Sequence, residues 1–126
     1  MKGLTLDAGA LIALERGDER VLALLQRAVV DPTAALYIPA GVLAQVFRDP
    51  RRQTRLARLL KHAHTNVVPL DDATARVVGL LLGLRRCSDA IDASVVVCAR
   101  RHRQGVVTSD PDDLRRLDPR LPLTVV

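Results

Sequence analysis

Four aspartates fall where a parallel α/β sheet would gather them. Asp7 follows the apolar run Leu4 to Leu6, Asp89 and Asp92 open an apolar helix, and Asp110 follows Val106 to Thr108. Both runs are apolar or β-branched and bounded by turn formers, so each reads as a buried strand with an acid at its C-terminal end. Neighbouring strands lie about 4.8 Å apart, and ligands in such sheets sit beyond the carboxyl ends of the strands, where strand order reverses. Asp89 and Asp92, three residues apart, share one face of a first helical turn, with Ser88 placed as its cap. Four crowded carboxylates raise one another's pKa unless a cation offsets them, and an oxygen-only donor set favours Mg²⁺ or Mn²⁺. Taken singly, each acid also suits an ordinary helix start, where the macrodipole favours negative charge. The set, more than any member, carries the chemistry.

Holding those acids requires strands alternating with helices. Helices are expected over Ala8 to Arg16 and Glu19 to Val29, split at Gly17-Asp18, and a second strand over Leu36 to Ile38. Pro39 then opens a helix running from Val42 to Phe47, and Asp49-Pro50 separates it from another over Arg51 to His62. Asn66 to Leu70 reads as a third strand, Asp71 to Arg85 and Asp89 to Arg103 as helices, Asp112 to Arg116 as a short helix, and Leu123 to Val126 as a fifth strand. The β-α alternation predicts an α/β fold with a parallel sheet of about five strands.

A chain of 126 residues fits one domain, spanning residues 1–126, and buries a core without staples. Apolar residues make up 48% but aromatics only 2%, which argues against nucleic-acid binding on stacked aromatic platforms. The formal charge of +5 fits a polyanionic partner such as RNA, although arginine-rich composition alone is weak support. Arg48, Arg51, Arg55 and Arg58 recur at helical spacing, a basic stripe that would steer phosphates toward acids that otherwise repel them. A plain solvated helix face is the competing reading. Cys87 and Cys98 lack Cys-x-x-Cys spacing and read as reduced thiols in apolar helices, and His62, His64 and His102 read as surface residues without zinc partners. Asp7, Glu15 and Arg16 interrupt the N-terminal apolar stretch, so no membrane segment and a cytoplasmic location are expected.

These segments resemble the PIN-domain ribonucleases, especially VapC-type toxins of bacterial toxin–antitoxin modules, over essentially the whole chain. The resemblance rests on Leu6-Asp7-Ala8, Ser88-Asp89-Ala90-Ile91-Asp92-Ala93 and Thr108-Ser109-Asp110-Pro111-Asp112-Asp113 in that order. It implies a three-layer α/β/α sandwich, Mg²⁺ or Mn²⁺ dependence, and endonucleolytic cleavage of RNA to a 5′-phosphate and a 3′-hydroxyl. Carried over, Asp7, Asp89 and Asp110 are metal-holding acids, Asp92 a further catalytic acid, and Ser109 and Asp112 supporting residues. It further implies a cognate VapB-type antitoxin that inserts a basic side chain among the acids, and a homodimer, for either of which the apolar stretch from Val42 to Leu60 would serve.

One position departs from the family. Where its members usually carry glutamate on the helix after the second strand, this chain has Gln45, whose amide oxygen accepts hydrogen bonds but adds no charge. Asp92 or Glu15 would have to make up the difference. The departure keeps a second reading open: a catalytically weak or silent PIN scaffold that binds RNA or a protein. A receiver-like protein would want a lysine at the end of a late strand, and the only lysines are Lys2 and Lys61; an aspartyl phosphatase would want Asp-x-Asp, and Asp7 is followed by Ala8 and Gly9.

Overall fold

Every residue of β1 (Gly3–Leu6) is buried, and the rest of the molecule is arranged around that strand. The structure is a computed structural model that describes residues 3–126, so Lys2 lies outside it. The chain runs β1, α1 (Ala8–Glu15), α2 (Glu19–Val30), β2 (Ala35–Pro39), α3 (Ala40–Val46), α4 (Thr54–Leu60), β3 (Thr65–Val68), α5 (Asp72–Arg85), α6 (Ala90–His102), β4 (Gly105–Thr108), α7 (Pro111–Leu117) and β5 (Leu123–Val125). All five strands are parallel, in the order β3-β2-β1-β4-β5. The chain builds outward from β1 to one side, then returns to build from β4 to the other, so strand order reverses between β1 and β4. One helical layer holds α1, α2 and α4, and the opposite layer packs α6 over β1, β2 and β4 with α5 and α7 beside it. This is the expected α/β/α sandwich.

The central helix explains its own sequence. Ala93 through Ala99 are all buried, because α6 lies on the sheet and is flanked by two other helices. A helix enclosed on most sides is apolar nearly all round. Below it, Thr5 is fully buried on β1, and its hydroxyl donates to Gln104 Oε1 at 3.0 Å. That bond offsets the cost of placing a hydroxyl in the core.

The segment around the arginines differs from expectation. Helix α4 starts at Thr54 rather than Arg51. The Gln53 side chain accepts from the Arg48 and Asp49 N–H groups and donates to Val46 O, which fixes Asp49 to Arg52 as a turn. Arg48 and Arg51 are therefore off the helix and no continuous stripe forms. Val42, Val46, Leu56 and Leu59 are core residues, so much of the apolar side chain from Val42 to Leu60 faces inward. The histidines are half-buried rather than on the surface: His102 stacks on Tyr37 with ring centroids 3.6 Å apart, and His62 and His64 meet edge to face. Cys98 is buried and Cys87 half-buried, both as free thiols. Among the described residues, no helix is long and apolar enough to cross a membrane.

Candidate active site

At the point where strand order reverses, Asp7 leaves β1 and Asp110 leaves β4. Asp7 is buried, and its Oδ1 accepts from Ala10 N–H at 3.0 Å, capping α1. The Thr108 hydroxyl donates to the Asp7 carboxylate while accepting from Asp110 N–H at 2.8 Å, so one buried threonine orients both acidic residues. Asp110 takes the N-cap position of α7, ahead of Pro111, without using its side chain as a cap. That carboxylate is not committed to the helix. Asp89, not Ser88, caps α6: its Oδ1 accepts from Ile91 and Asp92 N–H, both at 3.0 Å. Asp92 follows one turn later on the same face.

These elements enclose a cleft of about 320 Å³, lined by Asp7, Asp89, Asp92, Asp110 and Asp113, with Gln45, Ser109, Gly9 and the apolar Ile12, Val42, Ile91 and Val95. Among the described residues, no lysine or arginine lines it. Gly9 makes the close approach of α1 and the β4–α7 loop possible, because a Cβ there would sit 1.9 Å from Ser109 Oγ. Burial and charge crowding act on Asp7 and Asp92. Burial pushes the Asp7 carboxyl up, the bonds from Thr108 and Ala10 hold it down, and the Asp110 charge pushes it up again. Asp92 is pushed up to about 6, first by burial and then by the charges of Asp89, Asp113, Asp110 and Asp7.

The sequence pointed to Asp112; Asp113 is the acid in the cleft. α7 begins at Pro111, and one residue turns a helix by about 100°, which leaves Asp112 exposed outside the cleft. The expected helix began at Asp112, one residue later than α7 does, and which first-turn acid faces the cleft depends on how α7 is rotated in its packing. Glu15 does not reach the acids: its Oε2 accepts from Leu56 N–H at 2.9 Å, serving the first turn of α4. Arg48, Arg51, Arg55 and Arg58 do not line the cleft; Arg48 donates to the Ala44 and Phe47 carbonyls, and Arg55 to Glu15 O.

Against models of protein families, residues 4–119 match the PIN domain. The chain belongs to the PIN-domain family. The fold agrees with that membership: a chain in the crystal structure of VapBC2 from Rickettsia felis bound to a DNA fragment from its promoter superposes with a TM-score of 0.71 at 16% identity, covering 98% of each chain. A chain of a toxin–antitoxin complex from Klebsiella pneumoniae gives 0.66 at 19% identity, covering 88% of this chain and 89% of that one. A chain of FitAcB from Neisseria gonorrhoeae gives 0.63 at 18% identity and 95% of each chain. No curated protein matches the chain in sequence. At such identities, the likeness is one of fold.

PIN-domain nucleases generally use divalent metals, so the donor set has to be weighed against such an ion. Among the described residues, no three acidic, histidine or cysteine side chains converge tightly enough to enclose an ion by themselves. The residues present are oxygen donors spaced around an open, negatively charged cleft. That suits a partly hydrated Mg²⁺ or Mn²⁺ held by one or two carboxylates and waters, rather than a dehydrated all-protein cage.

Proposed function

We propose that this PIN domain is a metal-dependent endoribonuclease acting in the cytoplasm as the toxin of a toxin–antitoxin pair. The observation that carries this reading is five carboxylates on one cleft with, among the described residues, no basic side chain lining it. Asp7, Asp89 and Asp110 would hold Mg²⁺ or Mn²⁺, one or two of them directly and the rest through waters, with Gln45 accepting from its water shell. When bound, the ion supplies positive charge to the phosphate and Lewis acidity toward water. Asp92, on the same cleft and not among the proposed metal-holding acids, would take the proton from the attacking water. Thr108 keeps Asp7 aimed, and its bond offsets part of the burial that pushes the Asp7 carboxyl up. The direct test is cleavage of total cellular RNA by the purified chain with Mg²⁺ or Mn²⁺, beside a folded Asp7→Asn variant. Discrete metal-dependent products absent from the variant are expected.

Gln45 and the lack, among the described residues, of a tight three-ligand group favour a second reading, a silent scaffold that binds RNA or a protein without cutting it. Absence of cleavage by the folded chain over a wide metal range would select it.

An antitoxin is the proposed partner, since the similar chains named above come from complexes described as VapBC, FitAcB and toxin–antitoxin. An open apolar groove of about 560 Å³ between α2 and α4, lined by Leu22, Leu25, Val29, Val30 and Leu59 with Arg55, Arg58 and His62 along it, suits an amphipathic helix carrying acids. A homodimer is proposed on a different face. Ala73, Val77, Leu80 and Leu84 are exposed along α5 at spacings of four, three and four, the last two at 76% and 79%. The stripe is symmetric about its midpoint, so two copies crossing antiparallel set Leu84 against the small Ala73 and Val77 against Leu80. Gly79 and Gly83 have open space beside them.

A further inference from the structure

Beside the acidic cleft is a second compartment of about 420 Å³: Asp89, Asp92 and Asp113 line both, and Arg85, Arg86 and Arg116 line only the second. Arg85 is positioned by donating from Nε to Leu117 O at 3.1 Å, and Arg116 lies 3.8 Å from Asp113. Arg86 makes no ion pair among the described residues and is exposed. Its backbone is unusual: it ends α5 in the left-handed region, φ 53°, ψ 43°, where glycine is the unstrained choice. Glycine fits that backbone without strain, so the Arg86 side chain can be removed while the helix end is preserved. Arg103 ends α6 in the same conformation and lines neither compartment, so it serves as an internal control.

The geometry points to Arg85, Arg86 and Arg116 as a phosphodiester-binding wall that grips the RNA strand beside the phosphate held at the acids. The assignment rests on the nuclease reading for which strand is cut, and not for whether a strand is bound. The acidic cleft repels an RNA backbone; three guanidiniums across the shared Asp89–Asp92–Asp113 ridge offset that repulsion and set the direction in which the strand crosses. No aromatic residue lines this compartment, so the grip is on phosphate rather than base. Binding is then salt-sensitive and tolerant of sequence at that nucleotide.

The test is fluorescence anisotropy of a labelled short single-stranded RNA across a salt series, with and without Mg²⁺, for the wild-type chain and the Arg86→Gly, Arg116→Ala and Arg103→Gly variants. The same samples are run on gels for cleavage, and melting curves are recorded. Arg86→Gly is expected to melt no lower than wild type, because glycine suits the left-handed cap, yet to bind RNA about tenfold more weakly with a salt slope shallower by about 0.7. Arg116→Ala should lose affinity similarly, and Arg103→Gly should bind like wild type. Unchanged affinity and slope in both Arg86→Gly and Arg116→Ala, or an equal loss in Arg103→Gly, would overturn the wall. RNA bound but never cut, with the Arg86 and Arg116 losses intact, would count against the nuclease and leave the wall standing.

Discussion

Asp92 is where the chemistry of the cleft is most exposed to measurement. In the metal-free chain its carboxyl keeps a proton to about pH 6, whereas an unfolded chain releases it near pH 4. The folded state therefore binds the extra proton between these values, and the Asp92 contribution to stability falls as pH rises from about 4 to about 6. Asp92→Asn should remove that slope and raise stability at pH 7 by on the order of 1 kcal/mol after solvent screening, read by urea unfolding in EDTA. If Asp92 takes the proton in catalysis, the same variant should lose about 100-fold or more in cleavage rate. Gln45→Glu makes the complementary prediction. Added charge at the cleft should lower the Mg²⁺ concentration for half-maximal cleavage by about fivefold, and an unchanged titration would show that position 45 does not meet the ion. The four aspartates were legible from their types and positions alone. Thr108 was read only as the end of a strand, because a threonine there satisfies β propensity whether or not its hydroxyl serves two acids.

At the scale of elements, the helix starts carry the site: Asp7 caps α1 and Asp89 caps α6, so the capping function and the acidic cleft use the same residues. Gly9→Ala should cost about 1–3 kcal/mol, since its methyl meets Ser109, and Ser109→Gly in the same chain should recover most of that loss in thermal melts. On α5, Leu80→Glu with Leu84→Glu should leave the melting temperature near that of wild type yet convert a dimer to a monomer by light scattering. A dimer that persists would place the contact elsewhere. The element boundaries were mostly readable because each is marked by a capping acid, a proline or an abrupt change in period. The start of α4 was not, since it is fixed by the Gln53 side chain reaching back to residues 46–49, a contact with no signature in local composition.

For the whole molecule, a cation that binds only the folded cleft must stabilise the entire domain by mass action, by about 2.7 kcal/mol at one hundred times its dissociation constant. Mg²⁺ should therefore raise the melting temperature of wild type and do so much less for Asp7→Asn. The sequence by itself determined the alternation that makes a parallel sheet and the acids at the ends of β1 and β4, because hydrophobic period, turn residues and capping chemistry are local. Only the tertiary structure decided which acids and arginines face one another. Strand order put Asp7 beside Asp110, the rotation of α7 chose Asp113 over Asp112, and the left-handed end of α5 brought Arg85 and Arg86 to the mouth of the cleft while Arg48 and Arg51 fell into a turn. A linear chain shows the spacing of charges along itself, whereas their meeting across strands and helices is fixed by packing around the buried core.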